Sequence, residues 1–248
     1  MTVVLAVICK DGVVIGADSQ ITESSRGMSF PAQKLHELGE CAAWGGSGAR
    51  GVLNDLKPVL SDAAAAILES PDIGDEIQER VLPIMRKHYD NYIADVPGEG
   101  DGGGVSAYVL AAGVSQGQRW IVEINPNGLI GRYDDVGFHA IGSGAPMAQQ
   151  AGALLSHFRM TERSVEYGVV ALVRVLDALS LTSPSVGGPL SVARIREEGA
   201  HHLDDDEIEE ARSHARRWQD LEQEALDHLF EKPAAGRGSG RQRSGSRG

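Results

Sequence analysis

Thr2 directly follows Met1. Removal of that methionine would leave a threonine carrying both a hydroxyl and a free α-amino group. A threonine hydroxyl is a poor nucleophile until a base takes its proton, and the residue's own amine can be that base. Asp18, Lys34 and Gly48 follow at intervals of 16, 16 and 14 residues. A cation near the amine would lower its pKa, a carboxylate would hold that cation, and a glycine N–H would stabilise an oxyanion. Each residue alone says little. Asp18 and Lys34 also read as a surface pair, and Gly48 as a turn glycine.

The elements that must position these residues are legible around them. Val3–Cys9 is an apolar, β-branched run, Lys10-Asp11-Gly12 a hairpin turn, and Val13–Ala17 the returning strand. Both strands are apolar on both faces, which calls for a sheet covered on each side. Asp18 closes the second strand, where a carboxylate needs a partner. Ile21–Phe30 reads as polar and irregular. Glu40–Gly45 reads as a strand broken by Gly45-Gly46-Ser47-Gly48, with helices expected over Ala49–Glu69 and Asp72–Ala94. Pro97–Gly104 is a glycine-rich loop. Val105–Ala112, Trp120–Ile124 and Leu129–Tyr133 read as strands, with Asn125–Gly128 a turn between the last two. His139–Gly144 runs as a strand into a helix start. Helices over Ala145–His157 and Ser164–Leu179 follow, then a loop at Ser183–Pro189 and a strand at Leu190–Ile195. His201-His202 reads as a solvated loop. Asp204–Phe230 is an amphipathic helix with Ile208, Ala211, Ala215, Trp218, Ala225 and Leu229 on one side, and Asp204–Asp206 favour its dipole. Residues 1–231 read as one domain, and 232–248 as a disordered basic Gly/Ser/Arg tail.

The composition is that of an ordinary soluble domain: 42% hydrophobic and 23% charged residues in a chain of 248. A net charge of −12 argues against nucleic-acid binding. No apolar run is long enough for a membrane span. Cys9 and Cys41 make no disulfide framework and read as core, so the expected location is cytoplasmic. The histidines show no metal spacing, and no cofactor is indicated.

Taken together, Thr2, Lys10-Asp11-Gly12-Val13-Val14, Gly16-Ala17-Asp18, Gln33-Lys34-Leu35 and the turn at Gly48 resemble proteasome β-type subunits and HslV-type peptidases. Gly142-Ser143-Gly144 and Gly187-Gly188 look like later motifs of the same family. The resemblance covers roughly Thr2 to Arg196. It implies an α+β fold, the four-layer αββα sandwich of the N-terminal-nucleophile hydrolases, in agreement with the strand–helix order. It implies a threonine-type endopeptidase acting on polypeptides in a homo-oligomeric ring, with an α-type ring or ATPase regulator as further partners. Thr2 would be the nucleophile, Asp18 and Lys34 the charged pair, Gly48 the oxyanion donor, and Ser143 a group ordering the amine. Thr22, Gly46 and Arg50 would line the substrate cleft.

Two positions depart from the family pattern. An acidic residue four places before the Gly-Gly pair and a hydroxyl residue just before it are replaced by Ser183 and Val186. Arg50 stands where a small residue is usual, either crowding the cleft or favouring acidic side chains. A proteasome-like structural subunit without turnover is therefore the competing reading, and an amidase sharing the fold is a third.

Overall fold

The computed structural model describes residues 2–23, 28–93, 104–183 and 186–230. β1 (Val4–Cys9) and β2 (Gly12–Ala17) form the expected hairpin, in register from Val4↔Ala17 to Cys9↔Gly12. Every residue of both strands is buried, as their two-sided apolar pattern requires. Val4, Ala6 and Ile8 point to one core. Cys9, on the opposite face with Leu5 and Val7, meets a helix so closely that a Cβ on Gly168 would lie 2.4 Å from its Sγ. Burial pushes the Cys9 thiol up to about 12, consistent with a packing role.

Two five-stranded antiparallel sheets result. The first has β1 and β2 at its centre, flanked by β10 (Phe138–Ile141) on one side and by β11 (Ser191–Arg196) and β12 (Gly199–His202) on the other. The second runs in sequence order through β5 (Leu35–Glu37), β6 (Ala42–Gly48), β7 (Ala107–Ser115), β8 (Gln118–Ile124) and β9 (Ile130–Arg132). The sheets pack face to face through an aliphatic core that includes Val4, Ile15, Leu35, Leu110, Ile121 and Ile195. The helices α1 (Arg50–Glu69) and α2 (Ile73–Asp90) cover the outer face of the second sheet over Trp44, Val109 and Val122. The helices α3 (Ala145–Leu155) and α4 (Val165–Thr182) cover the first. This is the expected four-layer αββα sandwich, with helices needed outside because strands buried on both faces cannot meet water.

Several local expectations change. Ile21–Phe30 is not irregular throughout: β3 (Gln20–Glu23) and β4 (Met28–Pro31) form a small antiparallel sheet of their own. Cross-strand pairing places Ile21 opposite Phe30, a nonlocal contact that a polar run conceals. The glycines do not break β6, which continues to Gly48. They are what lets the layers approach. A Cβ on Gly45 would lie 2.7 Å from Val4 Cγ1, and one on Gly46 only 2.4 Å from Leu53 Cδ2. His201 and His202 belong to β12, not a loop, because β11 supplies an unpaired edge. Cys41 is only half-buried and sits just before β6, its thiol donating to the Glu197 carbonyl at 3.3 Å. The loop expected over residues 97–103 lies outside the described residues, as does the tail.

By chain contacts the protein divides into two compact units, Met1–Ala215 and Arg216–Gly248. The boundary falls within α5 (Asp205–Phe230). The helix starts with a capping box, in which Glu207 N–H donates to Asp204 at 2.9 Å and Asp204 N–H to Glu207 at 3.1 Å. In the first unit Ile208, Ala211 and Ala215 are buried. In the second, Leu221, Leu226, Leu229 and Phe230 are exposed.

Two outcomes test this packing. Gly45→Ala should cost about 1–3 kcal/mol, the scale of overpacking; a urea transition at the wild-type midpoint would contradict the close approach of Val4. Glu166 is held down at about 2, first by a hydrogen bond from the Ser164 side chain and then by Arg196. A depressed carboxyl contributes stability above its unfolded pKa, and that stability is lost as pH falls from the ordinary value of 4.5 towards 2. Because the Glu166 side chain is 53% exposed, the effect is small. Glu166→Gln should therefore lower the melting temperature at pH 7 and leave it little changed near pH 2.

Candidate active site

Asp18 leaves the end of β2 with no exposed surface. One carboxylate oxygen accepts the Val3 N–H at 2.9 Å and Lys34 Nζ at 2.8 Å. The other accepts Lys34 Nζ at 2.9 Å, the Gln20 N–H at 3.1 Å and the Gly187 N–H at 3.4 Å. Lys34, just before β5, also donates to the Gln20 carbonyl at 2.5 Å. The pair is therefore buried, and the surface alternative is excluded. Burial lowers the Lys34 pKa, and the hydrogen bond and charge of Asp18 work against that shift.

Thr2 is seated from two sides. Its N–H donates to Ser143 Oγ at 3.1 Å, and its carbonyl accepts the Gly144 N–H at 3.2 Å. Gly142 passes so close that a Cβ there would lie 2.2 Å from the Thr2 carbonyl oxygen, and its φ of +93° is in the region that favours glycine. On the other side, Val3 exchanges main-chain and side-chain hydrogen bonds with Asp18. Ser143 is thus not the cap of α3. Gly144 holds the N-cap position, and the serine hydroxyl points back to Thr2.

Gly48 ends β6 exposed, with φ of +117° and room for no side chain, since a Cβ would meet the Ser106 carbonyl at 2.1 Å. Ala49 N–H bonds that same carbonyl at 2.8 Å. Arg50 then opens α1, exposed, with its guanidinium 5.7 Å above the Phe30 ring. Gly46 is closed off by Leu53. Thr22 lies in β3, but its side chain is outside the described residues.

Ser183 is buried at the end of α4, and Val186 packs near Gly144, where a Cβ would come within 3.5 Å of Val186 Cγ2. An apolar side chain therefore stands beside the Ser143 turn.

Sequence reasoning missed two contributors, the Gln20 carbonyl and Ser47, and named Gly187 as a motif glycine without its bond to Asp18. The Gln20 carbonyl and the Gly187 N–H act through the main chain and leave no side-chain signal. Ser47 is buried in β6, with its hydroxyl 3.1 Å from the point where a Gly142 Cβ would sit. Its signal was present as the one hydroxyl in a run of glycines. Among the described residues no group of three or more His, Cys, Asp or Glu could hold a metal ion, and no helix is long and apolar enough to cross a membrane.

Chemically, the arrangement sets a hydroxyl-bearing residue near the chain start against a serine hydroxyl and a buried Lys–Asp pair. Two antiparallel sheets between helix layers, with such a residue at the head of the first strand, define the sandwich of the N-terminal-nucleophile hydrolases. The proteasome subunit model matches residues 2–193, and the chain belongs to that family. Its sequence is 24% identical over 215 residues to the proteasome β subunits of Methanococcus maripaludis strains C7 and C6, covering 84% of this chain and 89% of each relative. Among solved structures, a Gly-1 mutant of Anbu from Hyphomicrobium sp. strain MC1 superposes with a TM-score of 0.70 at 16% identity, covering 93% of this chain and 100% of that one. That likeness bears on the fold.

The pair at Asp18 predicts an asymmetry. Asp18→Ala strands a buried ammonium and the N–H donors of Val3 and Gly187, while the Gln20 N–H keeps the Gly187 carbonyl, and should cost about 3–5 kcal/mol. Lys34→Met leaves the carboxylate its three N–H donors and should cost less. Denaturant titration of both variants checks the order, and a larger loss for Lys34→Met would reverse it.

Proposed function

We propose that the chain is a threonine-type endopeptidase subunit, with Thr2 as nucleophile once Met1 is removed. The observation that carries this is the seating of Thr2 between Ser143 and Val3, whose N–H shares one Asp18 oxygen with the buried Lys34. An unperturbed α-amine has a pKa of about 7.7–8.0, already near the working pH of a general base. The charge on Lys34 lowers it further and favours the neutral form. The Thr2 hydroxyl then loses its proton to its own amine as Oγ bonds to the peptide carbonyl carbon. The Gly48 N–H stabilises the oxyanion, and such a donor is worth about 2.7–4 kcal/mol of barrier. Collapse expels the amine half of the peptide, which takes the proton. Water then cleaves the ester and restores Thr2. Ser143 holds the nitrogen of Thr2 in line throughout. Membership of the proteasome family supports ring assembly around polypeptide substrates, with a homo-oligomeric ring in the cytoplasm and an α-type ring or ATPase regulator as partners.

A second reading is a proteasome-like subunit that assembles without turnover. Its support is specific: Ser183 and Val186 remove an acid and a hydroxyl from beside the Thr2 nitrogen, and Val186 presents methyl groups to that turn.

Intact-mass measurement of the purified assembly, with a threonine-directed epoxyketone, separates the two. The peptidase reading expects loss of Met1, labelling at Thr2, and a roughly thousandfold or greater drop in peptide hydrolysis for Thr2→Ala with assembly kept. Retained methionine on a hydrolysing assembly would refute Thr2 as nucleophile. Methionine loss without label or hydrolysis would select the non-turnover subunit.

A further inference from the structure

Ser47 stands in β6 between Gly46 and Gly48 and is only 8% exposed. Successive side chains of a strand point to opposite faces. Gly46 faces α1, where a Cβ would meet Leu53, and Gly45 faces the first sheet, where one would meet Val4. Ser47 therefore points with Gly45, towards the head of β1. Its hydroxyl arrives at the main chain of Thr2. The point where a Gly142 Cβ would sit is 2.2 Å from the Thr2 carbonyl oxygen, 2.9 Å from the carbonyl carbon and 3.1 Å from Ser47 Oγ.

A hydroxyl brings one donor and two acceptor positions, and a carbonyl oxygen has two lone pairs. The Ser47 hydroxyl bonds no other described residue, and its oxygen is not one of their sealed, partnerless atoms, so a water can reach it. The Thr2 carbonyl accepts the Gly144 N–H at 3.2 Å, which leaves it a second lone pair. The two oxygens make no direct hydrogen bond, and they lie no farther apart than the 2.2 Å and 3.1 Å segments laid end to end. Two O–H···O bonds in series, each about 2.7–2.8 Å, span that gap.

Thr2 needs such a hold. Without Met1 it is joined to the chain on one side only, and chain ends are poorly ordered unless tied down. Ser143 holds its nitrogen and Gly144 one side of its carbonyl. Val186 meets the Gly144 turn with a methyl group and can tie nothing there. A second bond at the carbonyl fixes how the residue turns about its link to Val3, and with it the direction of hydroxyl and amine. A misplacement of about 1 Å can cost about 100-fold in rate. We propose that Ser47 is a positioning residue of the Thr2 site, holding the Thr2 carbonyl through one water. The inference rests on reading Thr2 as the nucleophile.

Ser47→Ala removes the hydroxyl without adding bulk, and Ser47→Thr keeps it on a β-branched side chain suited to a strand. Urea titration establishes that each variant keeps the wild-type midpoint. Peptide hydrolysis by the assembled Ser47→Ala protein should fall about tenfold in kcat, the scale of one hydrogen bond. KM should stay within about twofold, and Ser47→Thr should recover most of the loss. A second readout needs no turnover: acylation of the Thr2 amine by a succinimidyl ester, followed by peptide mass mapping. The loosened residue should react several-fold faster in Ser47→Ala than in the wild type. Acylation at the wild-type rate, or an unchanged kcat in a hydrolysing assembly, would overturn the proposal. Faster acylation in a chain whose wild type hydrolyses nothing keeps Ser47 and sinks turnover. Equal acylation with brisk hydrolysis keeps the peptidase and sinks Ser47. Retention of Met1 sinks both.

Discussion

The fully buried Asp18 carboxylate ties the site to the fold. It joins the end of β2, the backbone of Val3 ahead of β1, the start of β5 through Lys34, and the Gly187 loop. A buried ion pair adds little net stability against an apolar replacement, because desolvation offsets most of the attraction. Its retention at the meeting point of two sheets is better explained by position. The carboxylate sets where Val3 lies, and so where Thr2 lies. The same carboxylate holds the buried Lys34 ammonium. One interaction thus serves both registry and electrostatics.

Close packing is the second condition. The strands reach this geometry because β6 is nearly bare, with Gly45 and Gly46 admitting Val4 and Leu53. Gly142 admits the Thr2 carbonyl in the same way. Side chains at these points would push apart the layers that bring Thr2 to Ser143 and Asp18 to Lys34. At these three positions glycine lets the layers meet, and the aliphatic core fills the space between the sheets.

The later loop works in the opposite direction. Gly187 still bonds Asp18, so its scaffolding role is intact. Val186 instead lies against the Gly144 turn with an apolar side chain, and Ser183 is buried at the end of α4. The charged pair and the Ser143 contact do not depend on either side chain. Structure and reactivity can separate at this point, because the fold depends on the main chain of the loop and the chemistry on its side chains.

The sequence by itself determined the layers and the charged pair. The double-sided apolar strands Val3–Cys9 and Val13–Ala17 demanded a covered sheet, and the carboxylate at the end of the second strand demanded the partner that Lys34 supplies. The residue-type pattern was sufficient there because burial and charge are local properties. Elsewhere it misled: β3 with β4, β12, and the unbroken β6 depend on which strand edge lies alongside, and a pairing partner distant in sequence leaves no local mark. Tertiary structure alone decided that Ser143 faces Thr2 instead of capping α3, that Gln20 and Gly187 join the site through their main chains, and that the Arg50 guanidinium lies over the Phe30 ring. The physical reason is common to all of these: hydrogen-bond direction and charge pairing are set by three-dimensional approach, and sequence records only which groups are available to make it.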